Sequence, residues 1–178
     1  MRDGGGKQKG AVFEREICKD LSLWISKGQY EDVFWRSSIS GGRATILQKK
    51  GRRADAQMGD ITAIRPIGRR LLNHFVVEAK FYRDLMMWGL LKGDTKTGIC
   101  AFWNKLKTDL FLDGRHPMLI ARQNQQSPYV LLDEFGIKFF SLRASAHYPP
   151  LGAHFVWFDN FIAEAAVPPQ KLNFRSQP

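Results

Sequence analysis

The sequence predicts a single α/β domain, a central mixed β-sheet flanked by helices. Three observations carry this reading. A chain of 178 residues suits one domain with a core of its own. Apolar residues recur at helical spacing in two stretches, 11–26 and 99–111. Short runs rich in β-branched and aromatic residues lie between and after them, so the order is helix, strands, helix, strands. Hydrophobic residues make up 44% and charged residues 25%, the balance of a soluble globular protein. No apolar run approaches the roughly 18 residues of a membrane span.

Along the chain, residues 1–9 read as a flexible Gly/Lys/Gln tail. They carry no apolar stretch and so no secretory signal, which implies a cytoplasmic protein. The domain proper is expected over 10–166, with a frayed tail over 167–178 that begins at Pro168 and Pro169. The first helix places Phe13, Ile17, Leu21 and Trp24 at helical spacing and stops at Gly28. Val33 to Arg36 suggests a short strand, and 37–58 a long loop rich in Ser, Gly and basic residues, of the kind that is usually functional or disordered. Ile61 to Ile64 and Phe75 to Phe81 read as strands joined by a turn at Pro66 and Gly68. The stretch from Tyr82 to Gly98 admits either a helical turn or a loop. A helix from Ile99 to Phe111 then closes at Gly114. Pro117 to Ala121, Tyr129 to Leu132, Ile137 to Leu142 and His154 to Trp157 suggest further strands, and Asn160 to Ala165 a short helix.

Lys and Arg number 27 against 17 Asp and Glu, a net charge of +10. That excess favours a polyanionic partner, because each neutralised phosphate releases condensed counterions. Two groups concentrate the charge: Lys49, Lys50, Arg52 and Arg53, then Arg69 and Arg70. Cys18 and Cys100 are too few for a disulfide framework and lack metal-ligand spacing, so both are expected as reduced thiols.

The segment from Phe75 to Phe81 carries the chemistry. As a strand it puts Val76, Glu78 and Lys80 on one face and Phe75, Val77 and Ala79 on the other. An acid and an ammonium then sit side by side on a rigid element, where buried charges persist only when paired or bound to metal. A Glu-x-Lys pair alone is common, but Asp60 opens the preceding strand. Pairing Asp60 with Glu78 in an antiparallel hairpin puts the turn midway, at Arg69, beside Gly68. Two adjacent carboxylates repel unless a cation lies between them, and oxygen ligands suit Mg²⁺ or Mn²⁺. A third acid, Glu14, falls inside the apolar arc of the first helix, whereas Glu16 falls outside it. Burying Glu14 requires compensation, from a metal-bound water or from an internal Arg; the metal site is the favoured alternative.

These residues occur in an order that resembles a known family. Lys9 to Glu16, Trp35 to Gly42, Gly59-Asp60-Ile-Thr-Ala and Val77-Glu78-Ala-Lys80 together look like the archaeal Holliday-junction resolvases and their phage relatives. Those proteins belong to the PD-(D/E)XK, or restriction-endonuclease-like, superfamily. The resemblance covers roughly 9–123. It implies a restriction-endonuclease-like sheet and a metal-dependent DNA endonuclease, with Glu14, Asp60 and Glu78 as the acidic cluster and Lys80 as the catalytic lysine. Asp60, Glu78, the Ala79 carbonyl and Glu14 would serve the metal. Arg15 and Ser38 or Ser40 match positions that contact the scissile strand. Arg36 is assigned to DNA with them, as is the basic group Lys49, Lys50, Arg52 and Arg53. A homodimer is also implied, since a four-way junction offers two symmetric cuts. The loop from Gly41 to Gly59 is longer than in the compact archaeal enzymes, and the chain from about Phe135 has no counterpart there. Among the aromatics, Trp24, Phe102 and Trp103 read as core. Trp88 could stack on a base, with packing the favoured alternative.

Overall fold

The computed structural model describes residues 4–37 and 58–169. Helix α1 (Gly4–Ile25) buries Phe13, Ile17, Leu21, Trp24 and Ile25, the stripe that its sequence marks out. It ends where Lys27 and Gly28 turn left-handed, at φ 52° and 82°, and the Gly28 N–H donates to the Leu23 carbonyl at 2.7 Å. The helix starts at Gly4, so residues 4–9 continue it rather than forming a separate tail. Once the packed turns from Phe13 onward exist, each added residue gains a hydrogen bond without a new nucleus.

Strands β1 (Phe34–Arg36) and β2 (Ile61–Ala63) pair antiparallel as a small two-stranded ribbon. A 3₁₀ turn (Pro66–Gly68) runs into the short helix α2 (Arg69–Leu72). The main sheet begins with β3 (Phe75–Tyr82), followed by the one-turn helix α3 (Trp88–Leu91), α4 (Gly98–Asp109) and β4 (His116–Gln123). Then come β5 (Tyr129–Leu132), α5 (Glu134–Phe140), β6 (Ala146–Tyr148), β7 (Ala153–Trp157) and α6 (Phe158–Glu164). The sheet order is β3-β4-β5-β7-β6, with β3 and β4 parallel and the other pairs antiparallel. The parallel pair needs a crossover, which α4 supplies. This is a mixed five-stranded sheet with helices on both faces, the α/β architecture that the sequence predicts.

Strand alternation divides the core. Phe75, Val77, Ala79, Met118, Ile120, Val130 and Leu132 pack with α1, α5 and α6 on one face. Val76, Leu119, Ala121, Tyr129, Leu131 and Phe155 pack with α4 on the other. No helix among the described residues is long and apolar enough to cross a membrane.

Beyond the N-terminal stretch, three expectations are corrected and one strand is new. β2 and β3 do not form a hairpin: β2 pairs with β1, β3 pairs with β4, and the intended turn is occupied by α2. Residues 137–142 are not a strand, because α5 covers most of them. Its N-cap is Asp133, whose carboxylate accepts from the Gly136 N–H at 2.8 Å. Strand β6, which the sequence does not announce, pairs with β7. The C-terminal segment does not fray at 167, since Val167 packs on the core and Pro168 is buried.

Candidate active site

The site forms at the edge of β3 away from β4, an edge that pairs with no other strand among the described residues. Val77 and Ala79 face the core under α1, so Glu78 and Lys80 emerge on the α4 face, beside Val76. Asp60, the residue before β2, reaches the same edge by a different route from the expected ladder. Its N–H donates to the Val77 carbonyl at 2.9 Å, and its Oδ2 accepts from the Ala79 N–H at 3.0 Å. The Lys80 Nζ donates to that oxygen at 2.7 Å and also bonds the Glu78 carboxylate. The hairpin is absent, yet Asp60, Glu78 and Lys80 meet.

Gly59 makes this approach possible. Its φ is +94°, and a Cβ there would lie 2.6 Å from the Val77 carbonyl oxygen. Any side chain at 59 would drive Asp60 off the edge of β3. The glycine stands in the Gly59-Asp60 pair of the sequence motif, but its structural task follows only from this contact. The Ala79 N–H points to Asp60, away from β4. In an extended strand a residue's N–H and C=O share an edge, so the Ala79 carbonyl faces the Asp60 side too.

Two carboxylates around one ammonium leave a surplus of negative charge. Asp60 is 6% exposed, and the Glu78 side chain is 25% exposed. Burial, and then the charge of Asp60, push the Glu78 pKa up to about 7 despite the opposing pull of Lys80. Burial disfavours the Lys80 ammonium, but the carboxylates of Glu78 and Asp60 outweigh it and hold its pKa above the ordinary lysine range. Lys80 therefore remains a cation and a hydrogen-bond donor at neutral pH. The donor set of two carboxylates and a nearby carbonyl suits a hard divalent cation, and such an ion would relieve the burial and repulsion that raise the Glu78 pKa.

Glu14 has a different partner. The Arg36 Nε on β1 donates to its Oε2 at 2.5 Å, and the Glu14 side chain is 15% exposed. The internal Arg is thus the compensation that the structure displays. One helical turn on, the Cys18 thiol feels Glu14, Arg36 and Asp60, and burial, followed by the charge of Glu14, lifts its pKa to about 12. It is inert as a nucleophile at neutral pH. No group of three or more His, Cys, Asp or Glu side chains converges among the described residues, so Glu14 is not drawn into one cluster with Asp60 and Glu78. Glu16 points outward to Arg122, 3.4 Å away. Arg15 is exposed on α1. Ser38, Ser40, Lys49, Lys50, Arg52 and Arg53 lie outside the described residues. Both cysteines are free and buried.

The sequence matches the model of the family described as "Phage putative PDDEXK endonuclease" over residues 5–151. That span contains α1, both strands of the ribbon, β3 to β6 and every side chain of the Asp60 cluster. No curated protein and no solved structure matches the chain significantly. With most of its length covered and the mixed sheet in place, this chain belongs to the phage PDDEXK endonuclease family, a branch of the PD-(D/E)XK nuclease superfamily.

Proposed function

We propose that the protein is a divalent-metal-dependent DNA endonuclease that cuts branched DNA in the manner of a Holliday-junction resolvase. The observation that carries the chemistry is the convergence of Asp60 and Glu78 on a single cation, the Lys80 ammonium, at the edge of β3. Asp60, Glu78 and the Ala79 carbonyl would hold the metal, with Mg²⁺ or Mn²⁺ suiting the oxygen ligands. Glu14, already held by Arg36, is assigned to the outer coordination. When bound, such an ion polarises a phosphate and lowers the pKa of an attacking water. Lys80, as a permanent ammonium, orients that water and offsets charge on the phosphorane; it does not act as the base. Asp60 holds its place through two backbone contacts on β3, so the carboxylate is preorganised rather than recruited.

The net charge of +10 supports a nucleic-acid substrate. The branched-substrate reading rests on the order of the four motifs. By the same resemblance the working unit is a homodimer, and the products carry 5′-phosphate and 3′-hydroxyl ends. A cleavage panel of four-way junction, flap, single-stranded and linear duplex DNA, with and without Mg²⁺ or Mn²⁺, tests all of this. We expect paired cuts in the junction with metal, and none in EDTA. Cleavage confined to linear duplex would overturn the branched specificity and favour a restriction-type or other recombination nuclease. Binding without metal-dependent cleavage of any substrate would leave a DNA-binding module with a nuclease fold.

A further inference from the structure

Strand register aligns the active site with a groove farther along the sheet. Lys80 pairs with Ala121, Ala121 with Tyr129, and Tyr129 with Trp157, so the four residues form one lateral row. Lys80, Ala121 and Tyr129 lie on the α4 face, and cross-strand partners share a face, so Trp157 does too. At about 4.8 Å per strand, Tyr129 stands roughly 10 Å from Lys80 along this row, and Trp157 roughly 14 Å. Tyr129 and Trp157 both line a groove of about 640 Å³, in the size range of small-molecule sites.

The lining of this groove is aromatic. Buried Tyr129 and Phe155, Tyr148 and the half-exposed Trp157 line it, with Met87 and Leu90 from the segment that follows β3. Gln126 and Ser145 supply polar groups. The segment carrying Met87 and Leu90 is anchored rather than loose. The Leu85 N–H donates to Gln123 Oε1 at 2.9 Å, and the Ile99 N–H donates to the Leu85 carbonyl at 3.0 Å. The Tyr129 hydroxyl meets the Met87 sulfur at 3.1 Å. At Gly98, with φ +54°, a Cβ would stand 2.2 Å from the Leu85 carbonyl oxygen, so a glycine there is what lets the segment dock. Nothing in the metal chemistry of Asp60, Glu78 and Lys80 calls for such a groove.

We infer that the groove bounded by Tyr129, Tyr148, Phe155 and Trp157 takes an unstacked nucleobase from the strand being cut, a few nucleotides from the scissile phosphate. This inference rests on the endonuclease reading above and names a subsite within it. Aromatic rings bind bases of any sequence because every base has a π-face, and the polar groups at the rim can meet a base edge. The spacing fits as well. Stacked nucleotides rise about 3.4 Å each, so a separation of 10–14 Å corresponds to about three or four positions. Branched DNA offers unpaired or easily unpaired bases at that distance, whereas an intact duplex must first unstack one.

Photocrosslinking with 5-iododeoxyuridine, scanned along the cut strand of a junction in EDTA, tests the placement. We expect a crosslink to Trp157 or Tyr148 at one position within a few nucleotides of the cut. A binding cycle tests the energetics, pairing W157L with an abasic substitution at the crosslinking position. On intact DNA, W157L should weaken binding about 5- to 150-fold, the range for loss of one base–aromatic stack. On abasic DNA it should have no further effect, and W157F should restore most of the loss. Melting temperature controls for folding, and Trp157 has no role in the metal chemistry. Crosslinks that map elsewhere, or an equal W157L loss on intact and abasic DNA, overturn the inference. So does a W157L effect on self-association alone, which would make the groove a contact between copies. Failure of the wild type to cut any DNA with metal overturns the endonuclease reading itself. Cleavage without coupling at Trp157 overturns only the base subsite.

Discussion

Two acids of this fold sit in opposite electrostatic circumstances. Glu14 has one arginine to itself, and the charges of that pair cancel. Glu78 shares one lysine with Asp60, and burial with that second carboxylate lifts its pKa to about 7. A cancelled pair is satisfied as it stands, whereas the shared lysine leaves an unmet demand for positive charge. The contrast supports the proposed metal position at the edge of β3, with Glu14 of α1 no nearer than the outer coordination.

The largest effect should follow from removing that demand. Glu78→Gln or Asp60→Asn should reduce cleavage by more than about 100-fold, beyond the usual effect of losing an outer partner of a metal. DNA binding should persist or tighten, because a negative charge facing phosphate is gone. Wild-type turnover by either variant in Mg²⁺ would break the comparison at its centre.

The next test separates affinity from chemistry. Neutralising Lys49, Lys50, Arg52 and Arg53 together should reduce the log–log salt slope of DNA binding by up to about 3.6, with the cleavage rate of bound DNA little changed. An unchanged slope, measured by titration from 50 to 300 mM salt, would show that these cations do not touch the backbone.

Glu14 sharpens the contrast from the other side. Glu14→Gln should slow cleavage about 10- to 100-fold, as for an outer partner of a metal ligand, while Glu16→Gln stays near wild type. The two variants are compared at saturating metal with melting temperature as a control. If Glu14→Gln lowers only the melting temperature and leaves turnover intact, the Arg36 pair is purely structural. If Glu16→Gln is the inactive variant, the helix face facing the site is misassigned.

The smallest effect is on stability. The folded state raises the Glu78 pKa from 4.5 to about 7, so it holds that proton more tightly than the unfolded chain does. The resulting stability is complete below about pH 4.5 and is lost as pH rises through 7. In EDTA, the melting temperature should therefore fall by about 5 °C between pH 5 and 8, an order-of-magnitude figure for a partly buried carboxyl. Glu78→Gln should remove that slope, and saturating divalent metal should reverse it.

Much of this site is legible in sequence because it depends on local periodicity. Strand alternation alone puts Glu78 and Lys80 together, and the helical arc alone separates Glu14 from Glu16. Asp60 reaches Glu78 in the structure, but the expected hairpin does not exist. Pro66 and Gly68 signal a turn equally well before a helix, and a parallel partner 41 residues on competes for β3. Ile137, Phe139 and Phe140 read as strand by composition, yet the Asp133 cap and aromatic packing around Phe75 make them helical. The Arg36–Glu14 pair joins residues 22 apart, and no spacing rule reports it. Trp88, favoured for the core, is 77% exposed. The groove beside Trp157 is invisible from sequence because it needs the register of four strands at once.

The position of β3 has a further consequence. As the outermost strand of the sheet it presents a row of backbone donors and acceptors, the kind of border on which a foreign strand can nucleate aggregation. Asp60 occupies that border twice, at the Val77 carbonyl with its backbone and at the Ala79 N–H with its side chain. The same residue is thus a proposed ligand and a guard against misassembly. Asp60→Asn keeps an acceptor for Ala79 and should remain monodisperse, whereas Asp60→Ala uncovers the Ala79 N–H. The strand border therefore constrains this position independently of the proposed chemistry, and a variant without cleavage would still need a side-chain acceptor there.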